Sequence, residues 1–564
     1  MKNQKLFWAV VVLGLILINF LAARFHTRAD LTQEKRYSLS APTKRLLGSL
    51  KEPVRIDVFL KGDYPAGFTR FVRSTEEFLA EMKEYGRGNI QYNFFDPLQG
   101  ADDSASTRII DSLQFYYNLS PLVLQAPGKV GDEQTQKLVL PGAVVHYKDT
   151  AVGVNFLAGQ KSFGTEPEQL AQLYNNVEAS LEYNLLSAVQ KATSAKKPVV
   201  AYALGNGEAW GPQVDDAVRT LFSSYNFDTL NLQQTPAVPP VIDALVILKP
   251  TIRFSDRDKQ KLDNYVMNGG KLFWMVENVY AEFDSLYKSA GFIAFDRGLN
   301  LEDLLFNYGV RINQTLLQDR QSDQLPQVSP DGQQQRLVSW PYFPVLNGTQ
   351  HPISKNLDGV RAMFPTTIDT VEAGGIKKTA LLQSSNNARV LQVPTRIDFE
   401  ALQIAPDEKQ FTQRQVPVAY LLEGDFRSLY TGRMPREFVD TLRSLKIPVK
   451  TSVGESSKMI VVSDGDIAMN QFSPQSGALP MGTNVFTRFT YANKSFFTNC
   501  LEYLVNPSDI LQTRSKEFSL RLLDPRRTAD EKRKWQLINL ALPLLVVVLF
   551  AGLFSTLRRK RWAR

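Results

Sequence analysis

Two uncharged apolar runs, Leu6–Ala23 and Leu537–Phe554, constrain this chain more than any other feature. Each holds 18 residues without a charged side chain, about the length that crosses a hydrocarbon core. The residues between them are mostly polar. The pattern predicts a large globular body flanked by two transmembrane helices, in contact with membrane lipid at both ends.

The net charge of +8 belongs to one end of the chain. Residues 521–564 hold eleven Lys/Arg against three Asp/Glu, so residues 1–520 sum to zero. A neutral body carries no electrostatic footprint for nucleic acid. Arg558, Arg559, Lys560, Arg561 and Arg564 follow the second run without an acid between them, which predicts a cytoplasmic end there. Two crossings then put both termini in the cytoplasm and the body outside it. The first run is ambiguous by itself, because Lys2 and Lys5 precede it and Arg24 and Arg28 follow it. A cleaved signal peptide is the alternative for that run, but its apolar core is long and Leu21-Ala22-Ala23 is a poor cleavage site. One cysteine, Cys500, excludes an intramolecular disulfide and any CxxC site.

The chain reads as four segments: 1–30, a transmembrane helix and flanks; 31–195, an α/β domain; 196–510, a second α/β domain with an insertion over about 301–450; and 511–564, a juxtamembrane helix leading into the second span. In the first domain Val54, Ile56, Val58 and Leu60 alternate as in a half-buried strand. Phe68, Phe71, Val72, Phe78, Leu79 and Met82 then share one helical face, and Ile90, Tyr92 and Phe94 alternate again. A hairpin pairs Ala143–Tyr147 with Val152–Phe156, and an amphipathic helix runs over about Pro167–Lys191. The order β-α-β then β-β-α is similar to a thioredoxin-like fold. The loop Gly62–Gly67 lacks the cysteines of a redox pair.

In the second domain Val199–Leu204 is continuously apolar, as a strand buried on both faces requires. Phe227–Leu232, Ala244–Leu248, Lys271–Val276 and Met459–Val462 are further strands, with helices between them. Ser255 to Asp258 predicts a capping box, and Thr528 to Glu531 a second one that opens the final helix. The glutamine-rich stretch 318–335 reads as an exposed loop, and Ser495–Leu504 as a terminal helix. Together these describe a doubly wound sheet.

Several segments resemble the gliding-motility ABC-transporter auxiliary family, GldG. They are DLTQEKRYSLS within Ala29–Lys61, Asn268-Gly269-Gly270-Lys271, His351-Pro352-Ile353-Ser354, Ser463-Asp464-Gly465-Asp466 and Asn493–Leu504, together with the flanking spans. The resemblance implies an auxiliary subunit of an ABC-type transporter in the inner membrane of Bacteroidetes. Its body would be periplasmic, and its partners a GldF-like permease and a separate GldA-like ATPase. It also implies that the second domain is similar to class I glutamine-amidotransferase-like sheets.

That likeness raises an enzyme as one alternative. Such chemistry needs a nucleophilic Cys on a strand-to-helix elbow and a His base. Cys500 instead falls inside a predicted helix, and the only histidines are His26, His146 and His351. Gly205-Asn206-Gly207-Glu208-Ala209-Trp210-Gly211 is one residue off the dinucleotide fingerprint. Glu208 would set a carboxylate near a pyrophosphate there, and Pro212 lacks the N–H that a helix start offers. Gly159-Gln160-Lys161-Ser162 imitates only the tail of a phosphate-binding loop. Ser463-Asp464-Gly465-Asp466 reads as a strand-end turn rather than a metal site. No cofactor, metal or catalytic residue is therefore expected. If the sheet binds a ligand, the candidate walls are the strand-end residues Asn206, Glu208, Glu277, Asn278, Asp464 and Asp466. The leading expectation is a non-enzymatic transporter subunit. A ligand- or glycan-binding protein is the second, and an amidotransferase-like enzyme the third.

Overall fold

A computed structural model describes residues 13, 14, 19, 38–117, 119, 121–125, 136–157, 167–194, 196–289, 291–328, 335–399, 407–453, 457–474, 477–506, 513 and 525–562. The first apolar run, Leu6–Ala23, falls almost wholly outside the described residues, as do His26 and Gly159–Ser162. Two compact units are present, residues 1–516 and 517–564.

The first unit opens with α1 (Ala41–Gly48), where the Ser40 side chain accepts from Thr43 N–H as an N-cap. Then come β1 (Val54–Val58), α2 (Ala66–Tyr85), β2 (Ile90–Phe94), α3 (Asp103–Tyr117), β3 (Leu122–Gln125), β4 (Gln136–Val139), β5 (Gly142–Tyr147), β6 (Thr150–Asn155) and α4 (Pro167–Thr193). Four of the strands form one sheet in the order β2-β1-β5-β6. β1 pairs parallel with β2 and antiparallel with β5. Phe68, Phe71, Leu79 and Met82 of α2 and Val177, Leu181, Leu185 and Val189 of α4 are buried with Val54, Ile56 and Val58 in one core. Each such side chain contributes about 1.5–3 kcal/mol by leaving water.

The next part is built on a ten-stranded sheet. Its elements are β7 (Val199–Leu204), α5 (Asp215–Ser224), β8 (Asn226–Asn231), β9 (Ala244–Leu248), α6 (Asp256–Met267), β10 (Lys271–Met275), β11 (Ser322–Val328), β12 (Gln335–Gly348), β13 (Ile376–Gln383), β14 (Pro417–Gly424), β15 (Ser457–Val462) and α7 (Asn493–Val505). The order is β11-β12-β13-β14-β15-β10-β9-β7-β8, with Val360–Arg361 pairing off β12. β8, β7, β9, β10 and β15 run parallel, and β14, β13, β12 and β11 extend the sheet antiparallel.

Alternation explains why the parallel strands are apolar throughout. Tyr202, Val246, Phe273 and Ile460 face the helices α5 and α7. Ala203, Leu245, Trp274 and Val461 face α6. Both faces are covered, so neither set can be polar. The expected capping box at α6 is present, with Ser255 and Asp258 bonding reciprocally. Cys500 lies buried on α7 beside Leu501 and Leu504.

Two expectations are corrected. The glutamine-rich stretch is not a loop where it is described. Thr315–Asp319 and β11 are strands, and Gln318, Asp319 and Asp323 are buried. Composition misled because Asp323 is matched by the Arg361 guanidinium inside the fold. The second unit is a single helix, α8 (Pro525–Trp562), so Thr528 sits inside it rather than capping its start. Pro525 supplies that start, its fixed φ suiting a first helical turn. Within α8, Glu531–Lys560 is long and apolar enough to cross a membrane.

A charged cluster at the strand ends

The parallel strands deliver their last residues to one edge of the sheet. Lys249 follows β9, Glu277 and Asn278 follow β10, and Asp464 and Asp466 follow β15. All except Asp466, which is nearly so, are buried. Lys249 Nζ lies 2.5 Å from Asp466 Oδ1, 3.2 Å from Glu277 Oε1 and 3.2 Å from Glu282 Oε2. Arg297 reaches Glu277 Oε2 at 3.4 Å and pairs closely with Glu282. Asp464 accepts from the backbone N–H of Met363 and of Asp466, each at 2.7 Å.

Local backbone makes this convergence possible. Lys249 adopts a left-handed φ of 47°, which few non-glycine residues tolerate. Its Cβ would lie 2.7 Å from a Cβ placed on Gly465, so only glycine lets the β15 turn approach the lysine. The strained lysine is held by its three carboxylates.

Four carboxyls face two cations, a formal imbalance of two negative charges in a largely buried site. Burial, followed by the charge of Asp466, pushes the Asp464 carboxyl up to about 8. The same causes, burial first, raise Glu277 well above the glutamate range, although Lys249 opposes the shift. Burial acts to lower Lys249, but Asp466, Glu277 and Glu282 outweigh it and hold the ammonium charged. The cluster therefore keeps protons at neutral pH. Oxygens of Glu277, Asp464 and Asp466 lie within 4.8 Å of one another and could hold a cation. Lys249 Nζ already provides a positive charge to two of the three.

The structure brings Glu277, Asp464 and Asp466 together. Asn278 joins through its carbonyl, which accepts from Arg297 N–H at 2.8 Å. Asn206 and Glu208 belong to the neighbouring turn after β7, between glycines at φ 118° (Gly205) and 74° (Gly207). Glu208 Oε2 accepts from Asn206 N–H at 2.7 Å, and the Asn206 carbonyl accepts from Thr251 and Ile252 N–H at 3.0 and 2.9 Å. The loop's own carboxylate thus takes a backbone donor of the kind that cradles a phosphate in a dinucleotide site. Burial, then the charge of Asp258, raises the Glu208 carboxyl.

Lys249, Glu282 and Arg297 escaped the sequence reading. Lys249 had a signal, since it ends a fully apolar strand directly before Pro250. Glu282 and Arg297 lie on either side of a small antiparallel pairing, Val279–Tyr280 with Gly291–Asp296, which local periodicity does not reveal.

Residues 197–500 match the model of a family described as an ABC-type uncharacterized transport system, in its auxiliary-component form. Residues 33–146 match a domain of unknown function, DUF7088. No curated protein matches. A solved structure titled "mmIFT52 N-terminal domain" is similar at 12% identity, over 55% of this chain and 97% of that one, with a TM-score of 0.31. Agreement that loose carries no argument.

Proposed function

Because the chain belongs to the family of ABC-type transport-system auxiliary components, we propose that it is a non-enzymatic subunit anchored beside a transporter's permease. Its large body acts in coupling or in recognition of a partner. The observation that carries this reading is the family match over 197–500, the same residues that build the ten-stranded sheet. The ATP is used by a separate subunit, as the GldA-like ATPase and GldF-like permease of the family resemblance imply. Gliding motility, a Bacteroidetes source, a thioredoxin-like first domain and an amidotransferase-like second domain are the finer parts of the proposal. The sheet order β2-β1-β5-β6 and the parallel order β8-β7-β9-β10-β15 support the two fold assignments.

Two observations favour a non-enzymatic role. The Cys500 thiol is pushed well up by burial inside α7, where a nucleophile needs exposure and a lowered value. The strand-end carboxylates are committed to Lys249, Arg297 and backbone donors. In membrane terms, α8 is the single candidate span among the described residues. Its basic C-terminal flank supports a cytoplasmic C-terminus and a periplasmic body.

Affinity purification of the tagged full chain from native membranes tests the reading. An ABC ATPase and a polytopic permease should co-purify at fixed ratio. Recovery of the chain without either one overturns it.

A further inference from the structure

At the opposite end of β15 from the charged cluster, a second polar group lies against the seam between the two α/β parts. In register, Lys377 of β13 stands opposite Glu423 of β14, and Glu423 stands opposite Lys458 of β15. Directly opposed residues of antiparallel strands project from the same face, within about 5.5 Å at Cβ. The three therefore form one row. Tyr503 of α7 lies over that row, with its hydroxyl donating to Glu423 Oε1 at 2.7 Å and its ring centroid 4.0 Å from Lys458 Nζ. His351 packs edge-on against the same ring at 5.0 Å. Its other charged neighbours are Glu423, Lys377 and Lys458.

The chemistry of this group is one-sided. Glu423 has already accepted a hydrogen bond from Tyr503. His351 Nδ1 accepts from Ile353 N–H at 3.3 Å, so the neutral ring carries its proton on Nε2. Among the described residues neither Lys377 nor Lys458 is in an ion pair. Two ammonium groups and an imidazole N–H thus stand as donors around one carboxylate, Glu423, whose Oε1 bonds Tyr503. Lys377 is exposed, and the other four residues are half-buried, so a small ligand can reach them. Tyr503 also packs against the cluster of Tyr183 and Leu186 of α4, as does Leu46 of α1. The group therefore borders the first α/β part as well as the second, and junctions of that kind favour ligand sites.

We propose that His351, Lys377 and Lys458, backed by Tyr503, form a binding site for a tetrahedral oxyanion of the sulfate or phosphate class at this seam. Lys377 and Lys458 flank Glu423 in the row, and Lys458 and His351 both pack on the Tyr503 ring; two ammonium charges against one carboxylate leave a positive surplus that suits an anion rather than a cation. Burial holds His351 below its ordinary range in the free protein, against the Glu423 charge and with Lys377 and Lys458 adding to the lowering. A bound anion favours the imidazolium and reverses that trend. Binding should consequently tighten as the pH falls through the histidine range. Glu423, Lys377, Lys458 and the Tyr503 ring are the groups facing the imidazole.

Sulfate is the probe, because it does not titrate between pH 5 and 8 and any pH dependence belongs to the protein. Calorimetric titration of the detergent-solubilised full chain, at constant ionic strength, should show saturable sulfate binding that strengthens on acidification. Lys377→Gln changes an exposed residue and keeps the fold. It should weaken binding severalfold, and Lys377→Gln with Lys458→Gln about tenfold or more. His351→Gln should abolish the pH dependence. Absence of saturable binding, or unchanged affinity in the double variant, overturns the site. Either result leaves the co-purification test of the transport reading unaffected.

Discussion

Replacing Glu502 tests how firmly the two α/β parts are joined. Its carboxylate, 4% exposed, projects from α7 onto one face of α4, where Tyr183, Ser187 and Lys191 recur at four-residue spacing. Tyr183 and Lys191 donate through very short contacts, and Ser187 at 3.3 Å. Burial acts to raise Glu502, but Lys191, Tyr183 and Ser187 outweigh it and hold the carboxyl below its ordinary value. Removing one member of a buried pair costs about 3–5 kcal/mol. Lys191 is 25% exposed and can turn toward water, so the pair is partly screened. Glu502→Ala should therefore cost about 2–3 kcal/mol. Glu502→Gln, which keeps the hydroxyl partners and loses the charge, should cost about 1 kcal/mol. A cycle with Lys191→Met should give a coupling of about 1–2 kcal/mol.

The assay is urea unfolding of the detergent-solubilised full chain, followed by far-UV circular dichroism and tryptophan fluorescence. The two signals should separate in Glu502→Ala as the parts come to unfold apart. The pH dependence has a defined sign. A carboxyl lowered by folding adds stability above its unfolded value near 4.5, and that stability is lost as pH falls through the lower folded value. Glu502→Gln should flatten this acid limb. Costs within about 0.5 kcal/mol for both variants, together with a coupling that small, would refute the seam.

Four further outcomes are expected. Lys249→Met leaves four carboxyls with Arg297 alone and should destabilise by about 3–5 kcal/mol at pH 8. The deficit should shrink toward pH 5 as the carboxyls take protons, and urea midpoints across pH check this. Asp464, raised from 3.8 to about 8 in the fold, makes stability fall as pH rises between those values. Asp464→Asn should remove that slope, and retention of the slope assigns it to another group. Cys500→Ala should leave transport function intact and cost on the order of 1 kcal/mol; lost function at normal protein level would revive an enzymatic reading. Polyleucine in place of Leu6–Ala23 and Leu537–Phe554, with the basic flanks kept, should impair assembly with the permease, because it removes Asn19 and Asn539, the polar groups that would hydrogen-bond a partner helix. Unimpaired co-purification would reduce both segments to anchors.

Strands buried on both faces were legible in the sequence because nothing polar survives on either side of them. Val199–Leu204 and Ala244–Leu248 agree with the observed strands to the residue. Helices with one apolar face, such as α2 and α4, were legible for the same physical reason. α3 was not, since none of its residues is fully buried and its periodicity is correspondingly weak. β11 was missed because its polar residues are satisfied by groups distant in sequence. Asp323, for example, accepts from Arg361, Asn484 and Tyr491. The strand-end acids Glu277, Asp464 and Asp466 could be placed at one edge from the doubly wound order alone. Lys249 and Arg297, which neutralise them, required the tertiary fold.

The length of α8 has a mechanical consequence. Thirty-eight residues in one helix span about 57 Å, while the bilayer's hydrocarbon needs only about 30 Å. Were the apolar part of α8 to span a bilayer, the polar turns from Pro525 to Gln536 would continue the helix for about 18 Å beyond it. Pro543 lacks the N–H that would bond the Asn539 carbonyl, which makes it the natural pivot. Pro525 lies 18 residues, or about 27 Å, beyond that pivot. A bend of about 10° at Pro543 would displace the helix end at Pro525 by about 5 Å relative to the turns that follow the proline. A small bend at one residue would thereby be amplified into a displacement of atomic-contact size at the point where the helix begins.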